Sequence, residues 1–186
     1  MKKPVAILIS GTGSNMECLV KSMDSKHPGY PFLIISNNKY ASGLEKAKRL
    51  NVPVKYIPNK NFEKICIHHF KKKEPAVVCL AGFMKVLSSE FVTNYAGKII
   101  NIHPSLLPKY PGLKTHERVI SAKEKISGCT VHMVNESIDG GQILAQAKVD
   151  LEPTETTNSL ARKILSKEHQ LYPEVLKSFL LNNINV

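Results

Sequence analysis

The chain has 186 residues, of which 42% are hydrophobic, so it is long and apolar enough to fold around its own core and is not intrinsically disordered. No apolar run reaches the roughly 18–20 residues of a membrane helix, and the N-terminus lacks the pattern of a secretory signal peptide. We therefore expect one domain over residues 1–186, a cytoplasmic location and no membrane association. The four cysteines form no Cys-x-x-Cys pair and predict buried thiols of a reducing compartment.

The chain is basic, with 26 Lys and Arg against 15 Asp and Glu, a net charge of +11. A charge of this size is compatible with nucleic acid or with a small anionic substrate. The lysines are scattered, the longest run is Lys71–Lys73, and there is no Trp. We therefore expect a small anion as the partner and no nucleic acid.

Five short apolar runs alternate with longer amphipathic segments over the first hundred residues. The predicted strands are Pro4–Ser10, Pro31–Ser36, Pro53–Ile57, Ala76–Ala81 and Lys98–Ile102. The predicted helices lie between them, near residues 14–26, 41–51, 61–73 and 88–96, the last with Ser88 or Ser89 as N-cap and Gly97 after its end. Strand, helix and strand at this spacing predict right-handed crossovers and a parallel sheet, which is an α/β fold.

The pattern changes in the last third of the chain. Two further strands, Gly128–Val134 and Gln142–Val149, are predicted to form either a hairpin or a sheet edge with a long turn. Apolar residues at helical spacing then predict a long helix from Thr154 to about Leu181. Pro173 is expected to kink or split this helix, because proline removes a backbone donor.

A glycine-rich loop follows the first predicted strand. Glycines let the backbone approach a ligand, and the free N–H groups at a helix start favour an anion. The loop lacks the Gly-Lys-Ser/Thr end of a P-loop, and Met16 occupies the place of the third small residue of a dinucleotide fingerprint. The loop predicts a site for a monophosphate or a similar anion, and a plain turn capped by Ser14 stays open as the alternative. Its residues are Gly11, Thr12, Gly13, Ser14 and Asn15.

Asn101 and His103 lie at the end of the fifth predicted strand, two residues apart and therefore on the same face. An amide donor beside an imidazole suits stabilisation of an oxyanion with proton transfer. Asp139 lies in a later turn, and a carboxylate next to His103 would raise the pKa of that histidine. Each residue alone is more often structural, so a non-catalytic role stays open. The sequence contains no Gly-x-Ser-x-Gly elbow, so it does not indicate a covalent nucleophile.

A metal site is not expected. Cys129 and His132 resemble half of a zinc site that His116 could join. Residues three apart in an extended strand face opposite sides, however, and the chain contains neither Cys-x-x-Cys nor His-Glu-x-x-His.

Together these motifs closely resemble the phosphoribosylglycinamide (glycinamide ribonucleotide) formyltransferase family, folate-dependent enzymes of purine synthesis. The resemblance covers nearly the whole chain, and the Asn-x-His-Pro-Ser-Leu-Leu-Pro run is specific for formyl-folate enzymes. It implies the formyltransferase fold, a three-layer, Rossmann-like open sheet of about seven mostly parallel strands. The phosphate site would lie in the N-terminal half of the domain and the folate site in the C-terminal half. The matching runs are Ile7–Asn15, Cys79–Met84, Asn101–Gly112, Gly128–His132, Asp139–Gly141 and Glu168–His169.

The resemblance implies transfer of the formyl group of 10-formyltetrahydrofolate to the amine of glycinamide ribonucleotide by direct attack. Asn101 would donate to the tetrahedral oxyanion, and a protonated His103 would stabilise that charge and help to move the proton. Asp139 would hold His103 in its charged form and order a shuttle water. These three residues are the expected catalytic set, and no metal is expected.

The same resemblance assigns the ligand contacts. The glycine loop would hold the phosphate and ribose, and Glu168 would accept hydrogen bonds from the sugar hydroxyls. Lys85 stands where Arg is common, Leu165 stands where some members have Lys, and Lys60 is only a candidate for a basic folate contact. The implied folate-binding residues are Met84, Lys85, Val86, Leu87, Val134, Asn135 and Glu136.

Three alternatives stay open at this point. Methionyl-tRNA formyltransferase shares the chemistry but carries a further C-terminal domain, for which we expect no room before Val186. Formyltetrahydrofolate hydrolase carries an extra N-terminal domain, whereas the strand pattern here starts at residue 4. A non-catalytic nucleotide-binding module would also suit the basic charge. The oligomeric state is open, with a homodimer among the alternatives.

Overall fold

The computed structural model describes residues 1–181, which form one seven-stranded sheet with the strand order β3-β2-β1-β4-β5-β6-β7. The first five strands pair in parallel, as the alternation of strands and helices predicts. The last two pair antiparallel and form the hairpin that was one of the two predicted arrangements. The strands are β1 (Lys3–Ile9), β2 (Gly29–Ser36), β3 (Val54–Tyr56), β4 (Val77–Leu80), β5 (Ile99–His103), β6 (Ile126–Met133) and β7 (Ile143–Asp150).

Six α-helices are described within the same residues. The prediction missed α5, because seven residues are too few to show helical periodicity. The predicted signals around α4 are confirmed, since the Ser88 side chain accepts a hydrogen bond from the Phe91 N–H and Gly97 has a φ of 71°. The helices are α1 (Ser14–Ser22), α2 (Ser42–Arg49), α3 (Phe62–Lys72), α4 (Ser89–Asn94), α5 (Thr115–Ser121) and α6 (Thr157–Leu180).

The helices cover both faces of the sheet and give the expected three layers. On one face, α1, α2 and α6 pack on a core that includes Ile100 and Ile102 of β5. On the other face, α3 and α4 pack on a core that includes Ile99. Because successive residues of a strand point to opposite faces, Asn101 and His103 lie on the face of α3 and α4.

Helix α6 runs without interruption through Pro173, so the expected split does not occur. Tyr172, Val175 and Leu176 are buried around the proline, and their packing on the sheet holds both parts of the helix in place. The Tyr172 hydroxyl lies 3.1 Å from the Leu80 carbonyl oxygen and 3.0 Å from that of Ile100. Helix α6 is therefore fixed to the ends of β4 and β5.

Three of the four cysteines are buried as expected, whereas Cys18 is half-buried. Cys66, Cys79 and Cys129 are buried, and burial raises the pKa of each thiol to about 12. Within residues 1–181, no helix combines the length and apolarity that crossing a membrane requires.

Candidate active site

Asn101 contacts His132, a residue that was not predicted from the sequence to belong to the site. His132 of β6 lies directly opposite Asn101 in the antiparallel pairing of β5 and β6. The Asn101 Nδ2 atom lies 3.1 Å from His132 Nε2, and His132 Nδ1 lies 2.8 Å from the Met133 carbonyl oxygen. In the tautomer that donates to this carbonyl through Nδ1, Nε2 accepts from the Asn101 amide. This contact fixes the amide orientation and leaves Asn101 a second N–H for a ligand.

His103 is buried between two acceptors. Its Nδ1 lies 3.2 Å from Asp139 Oδ2, and its Nε2 lies 2.9 Å from the Tyr110 carbonyl oxygen. Burial lowers the pKa of His103 below its ordinary value, and the Tyr110 carbonyl and the Asp139 charge offset this only in part. Asp139 does raise the pKa of His103 as expected, but burial outweighs the carboxylate and the net shift in the free protein is downward.

Asp139 stays a carboxylate in this position. It has a left-handed backbone with a φ of 51°, and its Oδ2 accepts a hydrogen bond of 2.8 Å from the Gly112 N–H. Its Oδ1 lies 3.6 Å from His132 Nε2. Burial alone would raise the pKa of Asp139, but the nearby His132 imidazole, the Gly112 N–H and the nearby His103 imidazole lower it below the ordinary range.

Side chains of β6 and β7 hold the segment that follows His103. Thr130 of β6 is buried, and its hydroxyl donates to the Ser105 carbonyl over 2.6 Å and accepts from the Leu107 N–H over 3.0 Å. Gln146 of β7 donates to the Leu107 carbonyl over 2.8 Å. The hairpin therefore holds the segment that supplies the Tyr110 carbonyl to His103.

The glycine loop lies between the first turns of two helices. Gly13, with a φ of 70°, is the N-cap of α1, so the alternative of a Ser14 cap is wrong. The Gly43 N–H of α2 donates to the Gly11 carbonyl over 3.1 Å. A Cβ atom at Gly13 would lie 2.7 Å from the Gly43 Cα, so this backbone approach requires glycine.

A hydrogen bond between Asn15 and Glu168 connects α1, near the N-terminus, with α6, the last helix. Asn15 Nδ2 donates to Glu168 Oε2 over 2.8 Å, and both residues are buried. Burial raises the pKa of Glu168, and the hydrogen bond from Asn15 opposes this shift. Asn15 Oδ1 is buried and has no hydrogen-bond partner within residues 1–181. Two acceptor groups, a carboxyl and an amide oxygen, therefore lie together beside the glycine loop.

The glycine loop and the His103 cluster lie at the same edge of the sheet. Leu8 of β1 is in register with Leu80 of β4, and Leu80 is in register with Asn101. Neighbouring strands are roughly 4.8 Å apart, so Leu8 and Asn101 are about 10 Å apart across this edge. Ligands of open α/β sheets bind at the carboxyl ends of parallel strands. Glu168 lies on the face of the sheet that α6 covers, and His103 lies on the face that α3 covers. The glycine loop with Glu168 and the His103 cluster therefore approach this edge from opposite faces.

A profile of the formyl transferase family matches residues 3–176. The chain belongs to the formyl transferase family. It is 39% identical over 184 residues to the phosphoribosylglycinamide formyltransferase of Haemophilus influenzae. This alignment covers 95% of this chain and 87% of that protein. It is also 41% identical over 184 residues to the trifunctional purine biosynthetic protein adenosine-3 of Drosophila melanogaster. That match covers 94% of this chain but only 14% of the length of the Drosophila protein.

Solved formyl transferase structures share the fold. The phosphoribosylglycinamide formyltransferase of Anaplasma phagocytophilum superposes with a TM-score of 0.95 at 39% identity, covering 100% of this chain and 90% of that one. The Brucella melitensis enzyme of the same name superposes with a TM-score of 0.92 at 40% identity, covering 97% and 96%. The expected formyltransferase fold is therefore confirmed.

In this formyl transferase, the sequence-selected residues fall into two groups. The structure brings Asn101, His103 and Asp139 together with His132, and it brings Asn15 and Glu168 together. Glu168 comes from the C-terminal helix α6, whereas its partner Asn15 comes from α1 near the N-terminus.

The residues expected to contact folate surround the end of β4 and the turn after β6. Met84 and Val86 are exposed, whereas Leu87 and Val134 pack against the same core cluster. The side chains of Asn135 and Glu136 are also exposed. Lys85 Nζ contacts Glu63 over 2.6 Å, and Lys60 is exposed in a short 3-10 turn. No measurement tests these contacts, which stay predictions.

The half zinc site considered from the sequence does not assemble. Cys129 packs with α5 and α6, whereas His132 contacts Asn101 on the other face of the sheet. No group of three or more His, Cys, Asp or Glu side chains suited to a metal occurs in the described part of this formyl transferase.

Proposed function

We propose that this chain transfers the formyl group of 10-formyltetrahydrofolate to the amine of glycinamide ribonucleotide, giving formylglycinamide ribonucleotide in de novo purine biosynthesis. The main support is one juxtaposition: the cluster of Asn101, His103 and Asp139 shares a sheet edge with the glycine loop and Glu168. Two relatives that match over 95% and 94% of this chain are named phosphoribosylglycinamide formyltransferase. We include in this proposal a single formyl transferase domain that acts in the cytoplasm without a metal.

The proposed reaction is direct attack of the amine nitrogen on the formyl carbon. The new carbon–nitrogen bond gives a tetrahedral oxyanion, to which the second N–H of Asn101 donates. A water ordered by Asp139 carries the amine proton to the pair of His103 and Asp139, and the resulting imidazolium donates to both Asp139 Oδ2 and the Tyr110 carbonyl. The bond from carbon to N10 then breaks, and N10 receives the proton. One proton thus moves from the amine to N10, and the enzyme returns to its starting state.

We assign the nucleotide phosphate to the free N–H groups of the glycine loop, Gly11–Asn15. The carboxyl group of Glu168 and the unpartnered Asn15 Oδ1 are acceptors for the sugar hydroxyls. We assign the folate to the exposed segment Met84–Leu87 and the turn Val134–Glu136.

The test is a formyl-transfer assay that follows folate absorbance with and without glycinamide ribonucleotide. We expect deformylation of 10-formyltetrahydrofolate only in the presence of the nucleotide. Deformylation without the nucleotide would instead identify a hydrolase. No deformylation in either mixture, with folded protein, would contradict the proposal and favour a nucleotide-binding module.

Replacing Glu168 by Ala is expected to raise KM for glycinamide ribonucleotide by about 30-fold, because the sugar hydroxyls lose a charged acceptor. KM for the folate donor should change less than about 2-fold, since the donor lies on the other face of the sheet. Steady-state kinetics with each substrate varied in turn measure both values. Glu174→Ala, an exposed change on the same helix, is the control. An equal rise of both KM values would remove Glu168 from the nucleotide site.

A further inference from the structure

The segment after β4 alternates between anchored and exposed side chains. The ring centroids of Phe83 and Phe62 are 5.1 Å apart, and Leu87 packs on the core cluster. Met84 and Val86 between them are 72% and 69% exposed. An irregular segment with two exposed apolar side chains is suited to lie against a flat, partly apolar ligand.

Hydrogen bonds at its two ends fix the position of the segment 83–88. At its start, the Met84 N–H donates to Ser10 Oγ over 2.8 Å. At its end, Ser88 is the N-cap of α4 and accepts from the Phe91 N–H over 3.2 Å. The segment therefore bridges the strand that leads into the glycine loop and the start of α4.

A single carboxylate, that of Glu63 on α3, holds the middle and the end of this segment. Lys85 Nζ donates to Glu63 Oε1 over 2.6 Å, and the Ser88 N–H donates to the same oxygen over 3.2 Å. The Ser88 hydroxyl donates to the other oxygen, Oε2. Glu63 thus accepts from three groups on a neighbouring segment.

This ion pair is sheltered from solvent. The side chains of Glu63 and Lys85 are only 16% and 26% exposed. Burial alone would raise the pKa of Glu63, but the hydrogen bonds from Lys85 and Ser88 lower it below the ordinary range. Lys85 also lies 3.3 Å from the Val86 carbonyl, so its ammonium group is directed toward the protein. A lysine held in this way is a poor ligand for an anionic group of a folate.

We propose that Glu63 is a positioning residue for the formyl donor, which it serves by locking the segment 83–88 through Lys85 and Ser88. This inference rests on the proposed function, because it presumes that the exposed side of the segment contacts the folate. It also assigns Lys85 to the support of the segment and not to the glutamate tail of the donor.

Replacing Glu63 by Gln tests the proposal, since the amide keeps the shape and removes the charge. We expect KM for 10-formyltetrahydrofolate to rise about 10-fold, because charge-assisted hydrogen bonds are lost from the donor segment. KM for glycinamide ribonucleotide and kcat should change less than about 2-fold, and hydrogen exchange should accelerate in residues 83–88. Glu90→Gln, an exposed change in α4, is the matched control and should alter neither.

An unchanged donor KM in Glu63→Gln would overturn the proposal. So would a loss of activity that affects both substrates equally and follows a fall in Tm, because that pattern indicates a merely structural role. If the wild-type protein shows no formyl transfer, the proposed function fails instead, and the exchange measurement still reports whether Glu63 locks the segment.

Lys85→Met separates the two roles of the lysine. Donors with one and with three glutamates are compared in this variant and in the wild type. If Lys85 only supports the segment, the variant raises KM for both donors by the same factor. A rise confined to the triglutamate donor would show that Lys85 binds the tail and would overturn its assignment as a support.

Discussion

Replacing Asp139 by Asn is expected to lower kcat by about 1,000-fold while both substrates still bind. Asn tolerates the left-handed backbone at this position and still offers an oxygen to the Gly112 N–H, so the turn should survive. The substitution removes the negative charge 3.2 Å from His103. The pair of residues that takes the amine proton then lacks the charge that stabilises the imidazolium.

Steady-state kinetics and equilibrium binding of each ligand measure this effect. We expect KM and Kd values within about 3-fold of the wild type, because the carboxylate acts mainly in the transition state. Asp150→Asn, an exposed change at the end of β7, serves as the control. Full activity of Asp139→Asn would exclude a catalytic role and would favour a binding module.

His103→Ala should lower kcat by about 100- to 10,000-fold, the range that a positioned general acid–base contributes. Burial lowers the pKa of His103 in the free enzyme, although its two acceptors, the Tyr110 carbonyl and Asp139 Oδ2, favour the charged form. The charged form predominates only below this lowered pKa, and the titration of the free enzyme appears in kcat/KM, so kcat/KM of the wild type should fall as the pH decreases through that value. Asp139 has a lowered pKa and stays charged over this range.

The acid limb of the kcat/KM profile should be absent in His103→Ala and intact in the control His68→Ala, which changes an exposed histidine of α3. Nuclear magnetic resonance titration of His103 in the free protein provides a second readout. We expect a pKa below 6.5 in the wild type and a further decrease in Asp139→Asn, since Asp139 opposes the effect of burial. A rate that is flat from pH 5 to 9 in both wild type and His103→Ala would rule out this role.

The fold could be predicted largely from the spacing of apolar runs. Five strands and the helices between them follow from alternation alone, because each parallel strand must be separated from the next by a crossover. The direction of β6 could not be derived in this way, since an apolar run does not encode whether it pairs in parallel or antiparallel. The split expected at Pro173 does not occur, because packing around Tyr172 overrides the local cost of proline in a helix.

Part of the site could be predicted for a similar reason. Asn101 and His103 share a face by the period of a strand, and this spacing is visible in the sequence. The contact of Asn101 with His132 depends on the register between β5 and β6, and the contact of Glu63 with Lys85 depends on how α3 packs. The direction of the pKa shift of His103 depends on burial by a loop, which no local pattern reveals.

The backbone contact between Gly13 and Gly43 has an electrostatic consequence. It brings the first turn of α2 against the glycine loop, which already leads into α1. Each helix N-terminus carries roughly half a positive charge. An anion on the proposed phosphate loop would therefore lie near the positive ends of two dipoles. Two converging helix ends can provide the positive potential that a lysine at position 165, here Leu165, would supply as a point charge.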